Sequence, residues 1–280
     1  MSGGFGGASV REALDSAVIA IAAAGSETPR LDAEVLLAAA LGIDRTALFL
    51  DPAREVTGPA VRAFQDAVRR RSAGREPVAY ITGTRGFRHI ELVVDARVLV
   101  PRPETELLVE VAVELAARGA RVVDVGTGSG AVALALKDER PDVEVVATDS
   151  SADALAVARA NAERLGLDVA FRHGDLLAGA GAADVVLSNP PYVAESERAT
   201  LAAEILRHEP PGALLAGADG LDVIRRLVPA AAVAGARLLA VEIGAGQAAA
   251  VTELVRGTGF GDVQTRRDLA GMERVVIGRR

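Results

Sequence analysis

The sequence has no cysteine and no tryptophan, and only two tyrosines, two methionines and three histidines among 280 residues. Without cysteine there are no disulfides, thiolate nucleophiles, zinc–thiolate sites or iron–sulfur clusters. His89, His173 and His208 are too scattered to assemble a metal site, and none is expected. Aromatics make up 3% of a chain that is 50% hydrophobic, so Ala, Val, Leu and Ile must build the core. No apolar run reaches the roughly 18–20 residues that cross a bilayer. Residues 17–24 are apolar, but Glu12 and Asp15 precede them where a secretory signal carries positive charge, so they read as a buried helix face. The expectation is a soluble, cytoplasmic protein. Its 31 basic and 38 acidic residues leave a net charge of −7, the wrong sign for a protein that coats nucleic acid.

What is present falls into two compositional regimes. Ser9 and Glu12 form a capping-box pattern ahead of Val10, Leu14, Ala17 and Ile21 at helical spacing. Thr28-Pro29 and Pro59 open further helices, so residues 1–80 read as a small helical domain. Alternation of Phe87, Ile90, Leu92 and Val94 marks residues 81–101 as an extended hairpin linker. Beyond residue 102, short apolar runs at 121–125, 143–148, 184–188 and 237–243 alternate with helical stretches. That is the pattern of an α/β, mainly parallel sheet covered on both faces.

Two segments carry chemistry. Asp124-Val125-Gly126-Thr127-Gly128-Ser129-Gly130 follows the first of these strands and opens a helix, as a loop must when backbone approaches a ligand closely. Asp149 ends the next strand, 23 residues beyond Gly126, near the spacing of an acid that binds ribose hydroxyls. The loop lacks the full dinucleotide pattern. Asp124 would repel a pyrophosphate but suits the ammonium and sulfonium of S-adenosylmethionine, which is therefore the expected cofactor.

The second segment is Asn189-Pro190-Pro191-Tyr192, after the strand at 184–188. Two prolines fix the loop and remove its donors, leaving carbonyls. A planar NH2 conjugated to a carbonyl or ring is a poor nucleophile. The Asn189 side-chain oxygen and the Pro190 carbonyl can accept both of its N–H bonds, and Tyr192 offers a face for stacking. Methyl transfer then rests on positioning and charge complementarity, without metal or strong base. The amide of a protein glutamine and the amino group of a DNA adenine both fit this description.

The chain from about Ser9 onward resembles the bacterial release-factor glutamine methyltransferases, the PrmC/HemK family. The matching residues are Gly74-Arg75-Glu76-Pro77-Val78-Ala79-Tyr80-Ile81-Thr82-Gly83, Val100-Pro101-Arg102-Pro103-Glu104-Thr105-Glu106, the Asp124–Gly130 loop, Asn189-Pro190-Pro191-Tyr192, Gly217-Ala218-Asp219-Gly220-Leu221 and Glu242-Ile243-Gly244. The resemblance implies a Rossmann-like class I methyltransferase domain with a seven-stranded, mainly parallel sheet over residues 102–280. It is preceded by an N-terminal helical bundle that docks the substrate and by a β-hairpin linker. It implies N5-methylation of the glutamine in the Gly-Gly-Gln motif of class I peptide-chain release factors, with S-adenosylhomocysteine as product. By the same resemblance Gly126, Thr127, Gly128, Ser129, Gly130, Asp149, Asp175 and Leu176 hold the cofactor, Leu176 standing where relatives often carry a larger side chain, and Asn189 serves both cofactor and substrate. The partner is then a release factor, with no membrane and no stably held nucleic acid, and the enzyme a monomer. Methylation of a ribosomal-protein glutamine, DNA adenine methylation and a non-catalytic binding module are the alternatives.

Three features stay open on sequence. Arg102, Glu104, Thr105 and Glu106 suit either the cofactor's methionine end or a helix N-terminus. Residues 54–75 hold six arginines against Glu55 and Asp66, either a solvated helix face or a contact for an acidic partner. Glu242 ends a buried strand beside Gly244, close to where a pocket should form.

Overall fold

The computed structural model describes residues 7–280, in two units: residues 7–83 with Ala202–His208, and Thr84–Leu201 with Glu209–Arg280. In the first unit the Ser9 hydroxyl accepts from the Glu12 N–H at 3.3 Å while the Glu12 carboxylate takes the Ser9 N–H at 2.8 Å, starting the helix Val10–Ala23. Helices Pro29–Leu41, Arg45–Leu50, Pro59–Ser72 and Val78–Thr82 follow. Val10, Leu14, Ile21, Leu36, Leu37, Leu48 and Phe64 form their core.

A buried ion cluster joins the segment Ala202–His208 to this unit. The Arg71 side chain, only 8% exposed, donates from Nε to Asp32 Oδ2 at 2.7 Å and from Nη2 to Glu204 Oε1 at 3.3 Å. Arg75 Nη2 reaches Glu204 Oε2 at 2.7 Å. Arg69 and Arg70 pair with Asp66 and Glu76. Four of the six arginines of the basic stretch are thus neutralised within the unit itself, which removes much of its appeal to an acidic partner.

The second unit opens with an antiparallel hairpin, β1 (Thr84–Phe87) and β2 (Ile90–Val93). After a 3-10 turn at Pro103–Thr105 and the helix Glu106–Leu115 come β3 (Arg121–Val125), β4 (Glu144–Asp149), β5 (Ala170–His173), β6 (Val185–Ser188), β7 (Leu238–Glu242), β8 (Asp262–Arg267) and β9 (Glu273–Arg279). They form one seven-stranded sheet of order β5-β4-β3-β6-β7-β9-β8, parallel except at β9. Every residue of β6 and β7 is buried, as a strand covered on both faces requires.

The sheet order reverses between β3 and β6, where ligands settle in open α/β sheets. Register makes the position sharp: Val125 pairs with Thr148 on one side and with Ser188 on the other. Three neighbouring strands therefore end at one level, and the loops beginning at Gly126, Asp149 and Asn189 leave the sheet together. The Ser188 hydroxyl donates to the Val125 carbonyl at 2.7 Å and closes the rim.

One buried amide braces this rim from behind. Asn161, fully buried on the helix Ala152–Leu165, accepts from Val93 N at 2.8 Å and donates to Val93 O and Ser129 O at 3.0 Å each. It fastens the hairpin to the glycine loop. Asn161→Ala strands three backbone groups and should destabilise the second unit by about 3 kcal/mol. Urea unfolding followed by circular dichroism measures it, and a change below about 0.5 kcal/mol would contradict this role.

Candidate active site

A cavity of about 500 Å3 lies at the rim, within the size range of small-molecule sites. Asp124, Gly126, Thr127, Gly128, Ser129, Asp149, Asp175, Leu176, Asn189, Pro190 and Pro191 all line it, together with Arg102 and Thr105. Gly130 stands just behind. Its φ is +86°, and an added Cβ would lie 2.8 Å from Leu134 Cδ1, so both conformation and space call for glycine where the loop enters its helix.

The acids at the two strand ends are held differently. Asp149 Oδ2 accepts from Gly128 N at 2.9 Å and Oδ1 from Ser151 N at 2.8 Å, which fixes its carboxylate across the loop. Asp124 is buried and accepts from the Thr127 hydroxyl at 2.6 Å. Burial pushes its carboxyl up to about 7, against the pull of Thr127 and the Ala133 N–H, and the neighbouring Asp149 adds to the rise. No basic side chain among the described residues forms an ion pair with Asp124. A buried acid without a counter-cation, beside a roomy cavity and a second acid, fits a ligand carrying positive charge and hydroxyls. S-adenosylmethionine is such a ligand, and the residues present suit it.

At the far wall, Leu176 has a left-handed φ of 50°, unusual for a branched residue, with its carbonyl held by the Thr148 hydroxyl at 2.7 Å. Asp175 forms an ion pair with Arg226 at the cavity edge. His173 lies outside the cavity, its Nε2 3.0 Å from the Ser150 carbonyl.

The proline loop is supported by residues far from it in sequence. Asn189 Nδ2 donates to Thr105 Oγ1 at 2.9 Å. The Tyr192 hydroxyl donates to Glu242 Oε1 at 3.2 Å, and its carbonyl accepts from Gln247 Nε2 at 2.9 Å. Gln247 Oε1 takes the Gly244 N–H at 2.9 Å. Gly220 lies so close that a Cβ there would fall 2.2 Å from the Tyr192 carbonyl oxygen. The Gly-Ala-Asp-Gly-Leu and Glu-Ile-Gly segments are thus the backing of the Tyr192 loop. Tyr192 is not among the residues that line the cavity; its hydroxyl meets Glu242, and a Cβ at Gly244 would lie 3.2 Å from its ring. Burial and the Glu242 carboxylate hold its phenol far above the ordinary value, and it stays protonated.

The Arg102 stretch divides. Arg102 and Thr105 line the cavity, with Arg102 Nη2 at 2.7 Å from both oxygens of the buried Glu209. Glu106 instead accepts the Arg88 backbone N–H at 3.1 Å, and Glu104 stays off the lining. Sequence patterns single out neither Gln247 nor Glu209, and they give Thr105 no partner. The signal for Glu242 is confined to its place at the end of a buried strand, before Gly244 and Gly246.

Residues 12–83 match the family model of the PrmC N-terminal domain, and residues 103–246 match that of the methyltransferase small domain. The release factor glutamine methyltransferase of Deinococcus radiodurans is 44% identical over 97% of this chain and 98% of its own. That of Geobacter sulfurreducens is 40% identical over 96% of each chain. Among solved structures, the hMettl16 catalytic domain in complex with MAT2A 3'UTR hairpin 6 gives a TM-score of 0.54 at 18% identity, covering 79% of this chain and 81% of that one. A T. thermophilus 16S rRNA methyltransferase in complex with AdoMet and guanosine gives 0.51 at 19%, covering 70% and 49%. At such identities the likeness is one of fold.

The buried Asp124 makes donor binding sensitive to pH. A cation prefers the ionised carboxylate, and that form is depleted as pH falls through about 7. Affinity for S-adenosylmethionine should therefore drop about tenfold between pH 8 and pH 6. In Asp124→Asn the affinity should be low and flat across the same range. Calorimetric titration at several pH values measures both, and an unchanged pH dependence in the variant would assign the effect elsewhere.

Proposed function

The chain belongs to the release factor glutamine methyltransferase family, and from that premise we propose how its cavity serves the reaction. The protein is an S-adenosylmethionine-dependent methyltransferase acting on the glutamine side-chain amide of release factors. The finer reading is that the target is N5 of the glutamine in the Gly-Gly-Gln motif of class I release factors. We place this work in the cytoplasm, carried out by a monomer that holds no nucleic acid stably. One observation supports the reading most: Asn189 and Pro190 face the same cavity as Asp124 and the glycine loop, from strands that end at one level.

When bound, the cofactor supplies an electrophilic methyl group, and the chain's own residues do the rest. Thr127, Gly128 and Ser129 with Asp149 would line its ribose side, and Asp124 supplies negative charge for its cationic end. The glutamine nitrogen is deactivated because its lone pair is shared with its carbonyl. The Asn189 side-chain oxygen and the Pro190 carbonyl accept its two N–H bonds, which raises electron density on nitrogen and fixes the plane of the amide. No residue needs to remove a proton beforehand, because the nitrogen becomes acidic only once it carries the methyl group. Pro190 and Pro191 have no N–H to compete for these acceptors. Tyr192 acts by position: with its hydroxyl on Glu242 and its carbonyl on Gln247, it clamps the end of the loop and so the direction of the Pro190 carbonyl.

The net charge of −7 and the paired arginines favour a protein substrate over duplex DNA. The test is incubation with labelled methyl donor and, separately, a purified class I release factor, ribosomal protein or adenine-containing duplex, followed by peptide mapping. Label is expected on the Gly-Gly-Gln glutamine; label in DNA or ribosomal protein alone would reject the assignment. Asn189→Ala should lower transfer at least about 100-fold while donor affinity changes far less. Undiminished turnover would mean that Asn189 does not hold the substrate amide.

A further inference from the structure

The carbonyl of Pro190 serves a substrate amide only if it points one way, and the prolines settle part of that. Pro190 and Pro191 have fixed φ, and Asn189 and Pro190 each precede a proline, which holds their ψ to the extended range. What remains is the frame at each end of the loop. At the Asn189 end the sheet supplies it: Ser188 pairs with Val125 and its hydroxyl donates to the Val125 carbonyl. At the Tyr192 end the sheet has been left behind. Val193 belongs only to an isolated bridge with Leu215, and the Tyr192 carbonyl is taken by a side chain.

That side chain is Gln247, which stands just before the helix Ala248–Gly257. Its Nε2 donates to the Tyr192 carbonyl at 2.9 Å and to the Asp219 carbonyl at 3.4 Å, while its Oε1 accepts from Gly244 N at 2.9 Å. All three partners are main-chain groups, and such groups have no choice of role: an N–H donates and a C=O accepts. The Gln247 amide therefore has one orientation. Turned end for end, it would set Oε1 against two carbonyls and Nε2 against an N–H. The surroundings leave room for that orientation and little else. A Cβ at Gly220 would lie 2.8 Å from Gln247 Nε2, and one at Gly244 would lie 3.1 Å from Oε1. Gln247 is not among the residues that line the cavity, so its influence on the reaction passes through Tyr192.

We propose that Gln247 is a positioning residue for methyl transfer, and that its NH2 end carries the effect. Gly244 sets the sense of the amide, and the NH2 group then holds the Tyr192 carbonyl and, through the stiff proline pair, the direction of the Pro190 carbonyl. The inference rests on the methyl-transfer reading above.

The test compares Gln247→Glu and Gln247→Met in the full-length protein, with a class I release factor as substrate and saturating methyl donor. Glutamate keeps the size of the side chain and an acceptor for Gly244, but turns an oxygen toward the two carbonyls. Methionine keeps the length and offers neither a donor nor a comparable acceptor. Q247E should lower kcat about 10- to 100-fold, at least as far as Q247M, with KM and calorimetric donor affinity little changed. Retained donor affinity also shows that the cavity is folded in each variant. A merely structural tie to Gly244 predicts the opposite order, with Q247E close to wild type and Q247M impaired. That order, or wild-type kcat in both variants, would overturn the proposal. The unaltered protein gives an independent check: through-space NMR contacts should join the Gln247 NH2 to the Gly220 α-protons, and an NH2 turned to solvent would also overturn it. Any of these failures leaves the broader reading intact as long as the wild-type protein methylates the release factor; failure of the wild-type protein to do so would remove that reading instead.

Discussion

The register of three parallel strands is the constraint on which the site depends. β4, β3 and β6 end level with one another, so the glycine loop, Asp149 and the proline loop emerge side by side although Val125 and Ser188, before the first and last of them, lie 63 positions apart. A one-residue slip would turn every side chain of a strand to the opposite face. In strands buried on both faces that slip would also move branched residues into gaps shaped for others. The core of Val and Leu that makes the sheet rigid is therefore also what aligns the reacting groups, and a chain poor in aromatics loses nothing by it.

Two buried acids belong to this part of the molecule, Asp124 on the cavity lining and Glu242 off it, and they are held differently. Burial pushes both Asp124 and Glu242 up to about 7. Asp124 has hydroxyl and backbone donors but no ion-pair partner among the described residues, which suits a positively charged ligand. Glu242 is not on the cavity lining, and it accepts the Tyr192 hydroxyl. Buried acids of this kind cost stability, and such groups concentrate where a protein binds or reacts. The paired carboxylates of the first unit contrast with them: Asp32 and Glu204 meet Arg71 and Arg75 directly and hold a structure together.

Much of this was legible in the residues, and the part that was not has a physical cause. The capping box at Ser9, the short apolar runs of the central strands, the glycine loop and the Asn-Pro-Pro-Tyr turn are local signals, set by neighbours within a few positions. β5 and β8 carry polar, half-exposed residues and give no comparable periodicity. The helix Glu106–Leu115 is short, because a 3-10 turn takes its start and Ala116 is already extended. Thr105 and Asn189 lie 84 positions apart, and Tyr192 and Glu242 lie 50 apart. Arg71 and Glu204 are separated by 133. Pairings of that span depend on the fold, and one sequence does not display them. For the same reason sequence could offer Tyr192 as a stacking face, while only the structure places its hydroxyl on a buried carboxylate.

We propose that methyl transfer in this protein turns on the orientation of one side-chain amide, that of Asn189, at the rim of the sheet. The most direct measurement is a crystal structure of the protein with S-adenosylhomocysteine and a release factor bearing its Gly-Gly-Gln motif. The glutamine nitrogen should lie within about 3.2 Å of both the Asn189 side-chain oxygen and the Pro190 carbonyl, with the Asn189 NH2 still on Thr105. A glutamine bonded through its carbonyl to the Asn189 NH2, or placed out of reach of Pro190, would contradict that orientation.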